Sequence, residues 1–572
     1  MYLRTAPKGD RKSGFANVAE RTSQSKVALR VRDRQFACQV RSLSEGWSRA
    51  MPKPFSITTA IDYTNSPPHI GHAYEKVLAD VIARYHRLKG EKVFFLTGVD
   101  QHGQKVQQSA AKAGIPPNEF VKGVTQKFVD LWKKLDVKYD EWAETTADLH
   151  KEVVQGILQR LFDAGQIYKD KQSGHYSIRQ EQFLTDKERG PDGEFGPEWG
   201  QVEFREEENY YFKLNQHKDW LLSYLDGRKG AVIPDFRQTE LRNAAEKIDG
   251  NRQSGSDLCI SRPKSRLDWG IELTFDKTFV TYVWFDALTN YISFAGYDPK
   301  ISTFHSQPST FLDRWPALQI IGKDILIPAH GIYWLIMLHA IGFPDDAMPQ
   351  LLVHGWWNIS GSKMSKSLGN IVDPGTLADK YGTEALRYYL MSDIATGKDA
   401  DFSEERLIER YNADLANSLG NLLNRTLSMA HRYRDGTVQK TGGDSPLPAQ
   451  TVDLLREYGQ AMSAFEIHTA LEQILEFVTT CNTYIEMAAP WKLAKDQSAA
   501  EKLDHVLFVL AEALRIVAVL VAPILPVASR EILYQLNWTQ DSSLNDANWG
   551  GLPSRHRLGK PVPLFPRIEI PK

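Results

Sequence analysis

Two short strings in this chain carry the residue types that handle phosphate. His69-Ile70-Gly71-His72 follows Pro67-Pro68. Prolines forbid a helix interior but suit its entry, so the string falls on a first helical turn, where backbone N–H groups and the positive dipole end meet an anion. His69 and His72 share one face there and can donate to phosphate oxygens. Gly71 lets a nucleotide approach the backbone. Far downstream, Lys363-Met364-Ser365-Lys366-Ser367 lies between Gly361-Ser362 and Gly369-Asn370, a loop composition. Two lysines with interleaved hydroxyls can wrap a polyphosphate and neutralise charge growing on a pyrophosphate leaving group. Ordinary helix histidines and a solvated basic loop are the plain alternatives. The pentapeptide alone arises by chance on the order of once in ten thousand such chains, and the two strings together argue against both alternatives.

The elements that must position these residues read as follows. Phe55 to Ala60 (FSITTA) is a short strand ending in the turn DYTNSPP. From His69 onward, Val77, Leu78, Val81, Ile82, Tyr85 and Leu88 recur at helical spacing until Lys89-Gly90. Val93 to Gly98 (VFFLTG) is the next buried strand, with Asp100 just beyond its end. Strand, loop, helix, strand is a βαβ unit opening a parallel sheet, whose ligands sit at the carboxyl ends of the strands. Thr278 to Leu288 and Pro316 to Leu326 return to buried-strand character; between the halves, residues 165–270 are turn-rich, polar and short-stranded, as an insertion should be. From Phe402 to about Leu536 nearly everything has helical period, an all-α domain of bundle type. The proline-rich end should lie against the rest. The fold class is therefore α/β, a Rossmann-type parallel-sheet catalytic domain with an insertion, followed by a helical bundle. The expected divisions are 1–50, 51–164, 165–270, 271–349, 350–401, 402–536 and 537–572.

With 572 residues, 42% hydrophobic and 24% charged, the chain has globular composition and length for three or four domains. No uninterrupted apolar run reaches membrane-spanning length. Cys38, Cys259 and Cys481 are too few and too scattered for a disulfide framework or a four-thiolate zinc site. The net charge of −2 conceals a split: residues 1–50 hold 11 Lys/Arg against 4 Asp/Glu, leaving 58 against 67 for the remainder (69 less 11, 71 less 4). A nucleic acid would thus bind the body through local patches and shaped pockets rather than bulk charge. The basic head reads as a mis-assigned start before Met51 or a disordered arm, and a cytoplasmic location is expected. Organellar import is the minor alternative.

The HIGH and KMSKS strings, placed before an all-α domain, resemble those of the class I aminoacyl-tRNA synthetases, and the residues from about Lys53 to Leu536 are most similar to the methionyl-tRNA synthetases. The resemblance implies activation of L-methionine by ATP with Mg²⁺, then transfer to tRNA(Met). It implies catalytic roles for His69, His72, Lys363 and Lys366. It places ATP on His69, Gly71, His72, Gly322, Asp324 and Lys366. Methionine would contact Ala60, Ile61 and Tyr63 before HIGH, Asp100 through its α-amine, Trp284, Ala287, Leu288 and Tyr291 in YVWFDALTNY, and His330, displaced by one extra residue in ILIPAH. An aromatic-lined slot suits an unbranched, polarizable thioether. Asn421 and Arg425, at i and i+4, and Trp491 would read the anticodon, since amide, guanidinium and indole groups suit unstacked bases.

Relatives in this family often carry CxxC zinc knuckles in the insertion. This chain has GPEWGQ there, so no structural zinc and no other bound metal is expected. The insertion is also short for the editing domains of leucine, isoleucine and valine enzymes. A monomer without membrane association is expected. The remaining alternatives are another class I synthetase of cysteine, leucine or valine type, a nucleotidylyltransferase sharing only the first string, and a synthetase-like tRNA-binding paralogue.

Overall fold

The computed structural model describes residues 54–569 apart from 179–181, 185, 249–256, 360, 364–371 and 541. A seven-stranded parallel sheet is built from β1 (Pro54–Thr59), β2 (Asp62–Tyr63), β3 (Lys92–Asp100), β4 (Glu141–Glu144), β5 (Val232–Ile233), β6 (Leu318–Gly322) and β7 (Gln350–His354). β3 pairs with β1, β2 and β4. On the other side β1 pairs with β6, β6 with β7 and β7 with β5. The chain thus leaves β1 in one direction and returns beside it from the other, and the crevice at such a switch point is where ligands bind.

The register across β1, β2 and β3 contains an extra residue. Thr58 faces Leu96 and Asp62 faces Val99, so four steps on one strand oppose three on the other. Ala60 and Ile61 form this bulge, which turns the strand's end toward the crevice. Ala60 N–H still reaches the Ile320 carbonyl of β6 at 3.1 Å.

Helix α1 (Ile70–Leu88) connects β1 and β2 to β3. Its N-cap is His69, in extended conformation at φ −137°, and His69 and His72 form a reciprocal capping box. Ile70, Tyr74, Val77, Leu78, Val81, Ile82 and Tyr85 are buried, as the helical period predicts.

Two sequence expectations differ from the structure. Within Thr278 to Leu288 only Phe279–Thr281 is a strand, and Val283–Ser293 is a helix, α2. Every residue of α2 from Phe285 to Ser293 is buried, the polar Asp286, Thr289, Asn290 and Ser293 included, so no solvent-facing stripe marks a helical period. The insertion is not short-stranded either: Ile167–Ser177 and Val202–Phe212 pair antiparallel over 11 residues. The charged run REEEN hid the second strand. Val232–Ile233, within the expected 165–270 span, joins the catalytic sheet through β7.

Below the sheet, the helices Asn421–Arg434, Leu447–Ser463, Ile467–Ala488, Ala500–Val521 and Pro526–Gln535 form the bundle. Its apolar residues are continuous with those under α1, in one cluster running from Ile57 and Ile70 to Leu552 and Leu558. Arg387, wholly buried in the helix Thr383–Ser392, ties these parts together: it donates to Asp80 of α1 at 2.7 Å, to the Leu135 carbonyl at 3.0 Å and to the Ile524 carbonyl at 2.9 Å. The C-terminal segment packs against the bundle, where Asn412 exchanges hydrogen bonds with the backbone of Ile568. Among the described residues no helix is long and apolar enough to cross a membrane.

Candidate active site

Two adjoining cavities open at the carboxyl ends of β1, β3 and β6. The larger, about 360 Å³, is lined by Ala60, Ile61, Tyr63, Asp100, Trp284, Ala287, Leu288, Tyr291 and His330, all nine residues that the family resemblance assigned to methionine. The smaller, about 240 Å³, is lined by His69, Gly71, His72, Gly322 and Asp324 among others. Ala60, Ile61, Tyr63, Asp324 and Ile325 line both, so the bulge after β1 is a wall common to the two spaces.

At one end of the larger cavity the polar groups are uncharged. His330 sits on the widened turn Leu326–Trp334, which is π-wound with an extended Ile327. A wide turn absorbs one inserted residue without breaking the helix that follows, in keeping with the extra residue in ILIPAH. The His330 Nδ1 lies 2.9 Å from the Ile325 carbonyl and so carries the proton; its Nε2, 2.7 Å from the Tyr291 hydroxyl, accepts. Burial lowers the His330 pKa to about 4. An uncharged imidazole and a phenol already engaged leave the slot suited to an apolar, polarizable group.

At the other end of the cavity, Asp100 is 6% exposed, and its backbone carbonyl accepts from both the amide and the hydroxyl of Thr64 at 2.9 Å. Behind it stands a buried group that sequence reasoning missed. Asp286 of α2 accepts from His102 Nδ1 at 2.6 Å and from His150 Nε2 at 2.8 Å. Burial would raise the Asp286 pKa, but the two imidazoles outweigh it and hold the carboxyl at about 2. An acid inside the apolar run YVWFDALTNY was the available signal, because a buried charge demands a partner.

In the smaller cavity the two histidines are ordered by their own helix turn. His69 Nδ1 accepts from the Gly71 amide, and His72 Nδ1 accepts from the His69 amide, both at 3.1 Å. Each ring therefore carries its proton on Nε2, the donor a phosphate oxygen needs. The ring centroids are 3.8 Å apart. A side chain at position 71 would bring a Cβ within 2.9 Å of the His69 ring, which is why glycine stands there. Across the cavity, Trp356 Nε1 donates to Asp324 at 3.2 Å. Sequence reasoning also missed Asp62, Glu75 and His354, which line this cavity. Glu75 accepts from His354 Nε2 at 3.0 Å.

The second basic string is only partly in view. The backbone of Ser362–Lys363 pairs with Trp357–Ile359, leading the segment out from β7, while Lys366 lies outside the described residues. In the bundle, Arg425 pairs with Glu486 at 2.6 Å, Asn421 is exposed one helical turn before it, and Trp491 is half-buried in the short helix Pro490–Leu493. Among the described residues no three His, Cys, Asp or Glu side chains converge as a metal site.

Comparison with known proteins places this arrangement. The profile of the family described as tRNA synthetases class I (M) matches residues 55–192 and 199–427, and that of the anticodon-binding domain of tRNA ligase matches 447–557. The chain is 38% identical to the methionine–tRNA ligase of Lactococcus lactis over 532 residues, covering 91% of this chain and 78% of that one. It is 40% identical to the corresponding ligase of Caldanaerobacter subterraneus over 530 residues, 91% of this chain and 80% of that one. The structure of Mycobacterium tuberculosis methionyl-tRNA synthetase in complex with methionyl-adenylate superimposes with a TM-score of 0.83 at 35% identity, covering 90% of this chain and 100% of that one.

Proposed function

The chain belongs to the class I methionyl-tRNA synthetases, and we propose that its two adjoining cavities are the methionine and nucleotide sites. It activates L-methionine with ATP, forming methionyl-adenylate and releasing pyrophosphate, and transfers the methionyl group to the 3′ end of tRNA(Met). The first step joins a methionine carboxylate oxygen to the α-phosphorus while the bond to pyrophosphate breaks. It needs no protein nucleophile, only orientation and charge stabilisation.

On this reading the residues take the following roles. Tyr291 and His330 present a neutral end to the thioether, with Trp284, Ala287 and Leu288 as apolar walls and Asp100 holding the α-ammonium. His69 and His72 donate from Nε2 to phosphate oxygens. Gly322 admits the ribose close to the backbone, and Asp324 accepts from its hydroxyls. Lys363 and Lys366 neutralise the departing pyrophosphate. The nucleotide enters as MgATP, the ion held mainly by phosphate oxygens and water. We propose further that the insertion works without zinc, that the enzyme is monomeric and cytoplasmic, and that Asn421, Arg425 and Trp491 read the anticodon.

The observation that carries this reading is the common wall. Ala60, Ile61 and Tyr63 border both cavities, so a carboxylate in one meets a phosphate in the other. The test is amino-acid-dependent exchange of labelled pyrophosphate into ATP, with each of the twenty amino acids in turn. Exchange with methionine alone is expected. Exchange with cysteine, leucine or valine instead would overturn the pocket assignment, and no exchange with any would overturn the catalytic reading.

A further inference from the structure

Beneath the common wall lies a lysine that none of these roles employs. Lys76, in the second turn of α1, is wholly buried. Its ammonium has three protons and meets three acceptors, each at 2.8 Å: the Ala60 carbonyl, Asp62 Oδ1 and Glu75 Oε1. The indole of Trp132 lies 5.9 Å from Nζ. An ammonium removed from water costs several kcal/mol unless its partners are well placed. Burial would lower the Lys76 pKa, but the two carboxylates outweigh it and raise it. Apolar residues in place of the whole trio of Lys76, Asp62 and Glu75 would fill the same space without that cost, so the charges call for another explanation.

The acceptors supply one. Ala60 belongs to the bulge that borders both cavities, and the residue is held at both of its peptide groups, its N–H by Ile320 of β6 and its carbonyl by Lys76. Asp62 ends the same bulge, and Glu75 reaches across to His354 at the end of β7. One ammonium therefore joins the bulge after β1, the helix bearing His69 and His72, and the far strand of the nucleotide cavity.

We infer that Lys76 is a positioning residue for methionine activation: by holding the Ala60 carbonyl it sets the height of the wall over which the methionine carboxylate approaches the α-phosphate. The inference rests on the assignment of the two cavities given above. Lys76 touches neither substrate. Its effect falls on the rate with both substrates bound, because a small displacement of the wall moves the reacting atoms out of line.

Two variants separate positioning from charge compensation. Burial raises the Asp62 pKa to about 7, so the assays are run at about pH 8.5, where both carboxylates are ionised and the trio of Lys76, Asp62 and Glu75 carries a net −1; K76M leaves −2, and D62N/K76M restores −1. Melting temperature, KM for each substrate and the rate per titrated active site are measured in pyrophosphate exchange; the per-site rate does not depend on the fraction folded. K76M is expected to lower the per-site rate at saturating substrates at least 10-fold and to lower the melting temperature. D62N/K76M is expected to regain the melting temperature while the rate stays at least 10-fold down, because the Ala60 carbonyl still lacks its ammonium. Recovery of the rate together with the melting temperature would make Lys76 a mere counter-ion and overturn the inference. So would a wild-type per-site rate in K76M. A wild-type enzyme inactive with methionine would instead overturn the assignment on which the inference rests.

Discussion

Replacing Asp286 with asparagine removes a charge and almost no volume, at a carboxylate gripped by two imidazoles. His102 Nδ1 lies 2.6 Å from one oxygen and His150 Nε2 2.8 Å from the other. An asparagine can accept from one ring, but its NH₂ faces the other ring's donor. The carboxyl is held at about 2 against an ordinary value near 3.8, a difference on the order of 2–3 kcal/mol. One charge-assisted hydrogen bond lost in a buried place costs a similar ~1.5–3 kcal/mol. For a large cooperative unit at roughly 2 °C per kcal/mol, the melting temperature of D286N should fall by about 5 °C. The sign with pH is fixed by the direction of the shift. A depressed carboxyl stabilises above its unfolded pKa, so the gap between wild type and variant should be present in full at about pH 5. It should close only as the pH falls through 4 toward 2. The same change loosens α2 and the loop carrying Asp100, so KM for methionine should rise about 10-fold while KM for ATP stays within twofold. Thermal denaturation and pyrophosphate exchange measure these effects. Equal melting temperatures with an unchanged KM for methionine would refute the idea that this carboxylate fastens the pocket.

Other perturbations have equally definite outcomes. Tyr291→Phe leaves the buried His330 Nε2 without its donor, and at ~1–3 kcal/mol for such a loss KM for methionine should rise about 10-fold or more in pyrophosphate exchange. Because burial lowers the His330 pKa to about 4, the unfolded chain binds this proton first on acidification. Stability should therefore decline as the pH falls from 6.5 to 4, and denaturation of H330Q across that range should show a shallower slope. His72→Ala removes a donor aimed at developing phosphate charge and should slow adenylate formation about 10²–10³-fold in rapid-quench experiments. Arg425→Ala should lower the ratio of tRNA charging to pyrophosphate exchange at least 10-fold, an effect read by running both assays on one preparation. Arg387→Met leaves Asp80 paired with Arg84 at 2.7 Å but takes the donor from the buried Leu135 and Ile524 carbonyls, and at ~1–3 kcal/mol for each such loss the catalytic sheet and the bundle should melt together at a lower temperature.

What the amino-acid order disclosed depends on whether the signal was local. The turn after β1, the capping histidines and the strand-end Asp100 are local features, and the structure brings all the expected pocket residues to one cavity. The Asp286 network is not local: its partners lie 184 and 136 residues away in sequence, and no periodicity links them. Glu75 and Lys76 were invisible for the opposite reason. Two charges in a helix read as its solvated face, and only the packing of Trp132 and Asp62 around them shows that face to be buried. The helix α2 was mistaken for a strand because complete burial erases the alternation by which either element is recognised. The Lys366 end of the second string falls outside the described residues.

The single apolar cluster running from the sheet into the bundle bears on how such a protein can be taken apart. A cut after Asp401 would strip the underside of α1 and the helix Thr383–Ser392, exposing Tyr85, Leu386 and Leu390, which are buried in the intact chain. The catalytic piece would then present a broad greasy floor, and Arg387 would keep Asp80 and the Leu135 carbonyl but lose the Ile524 carbonyl. The anticodon reader is thus no detachable cassette. Exchanging it for another enzyme's bundle would require recutting the floor as well as the reading face, so the two ends of the molecule are free to diverge only in step.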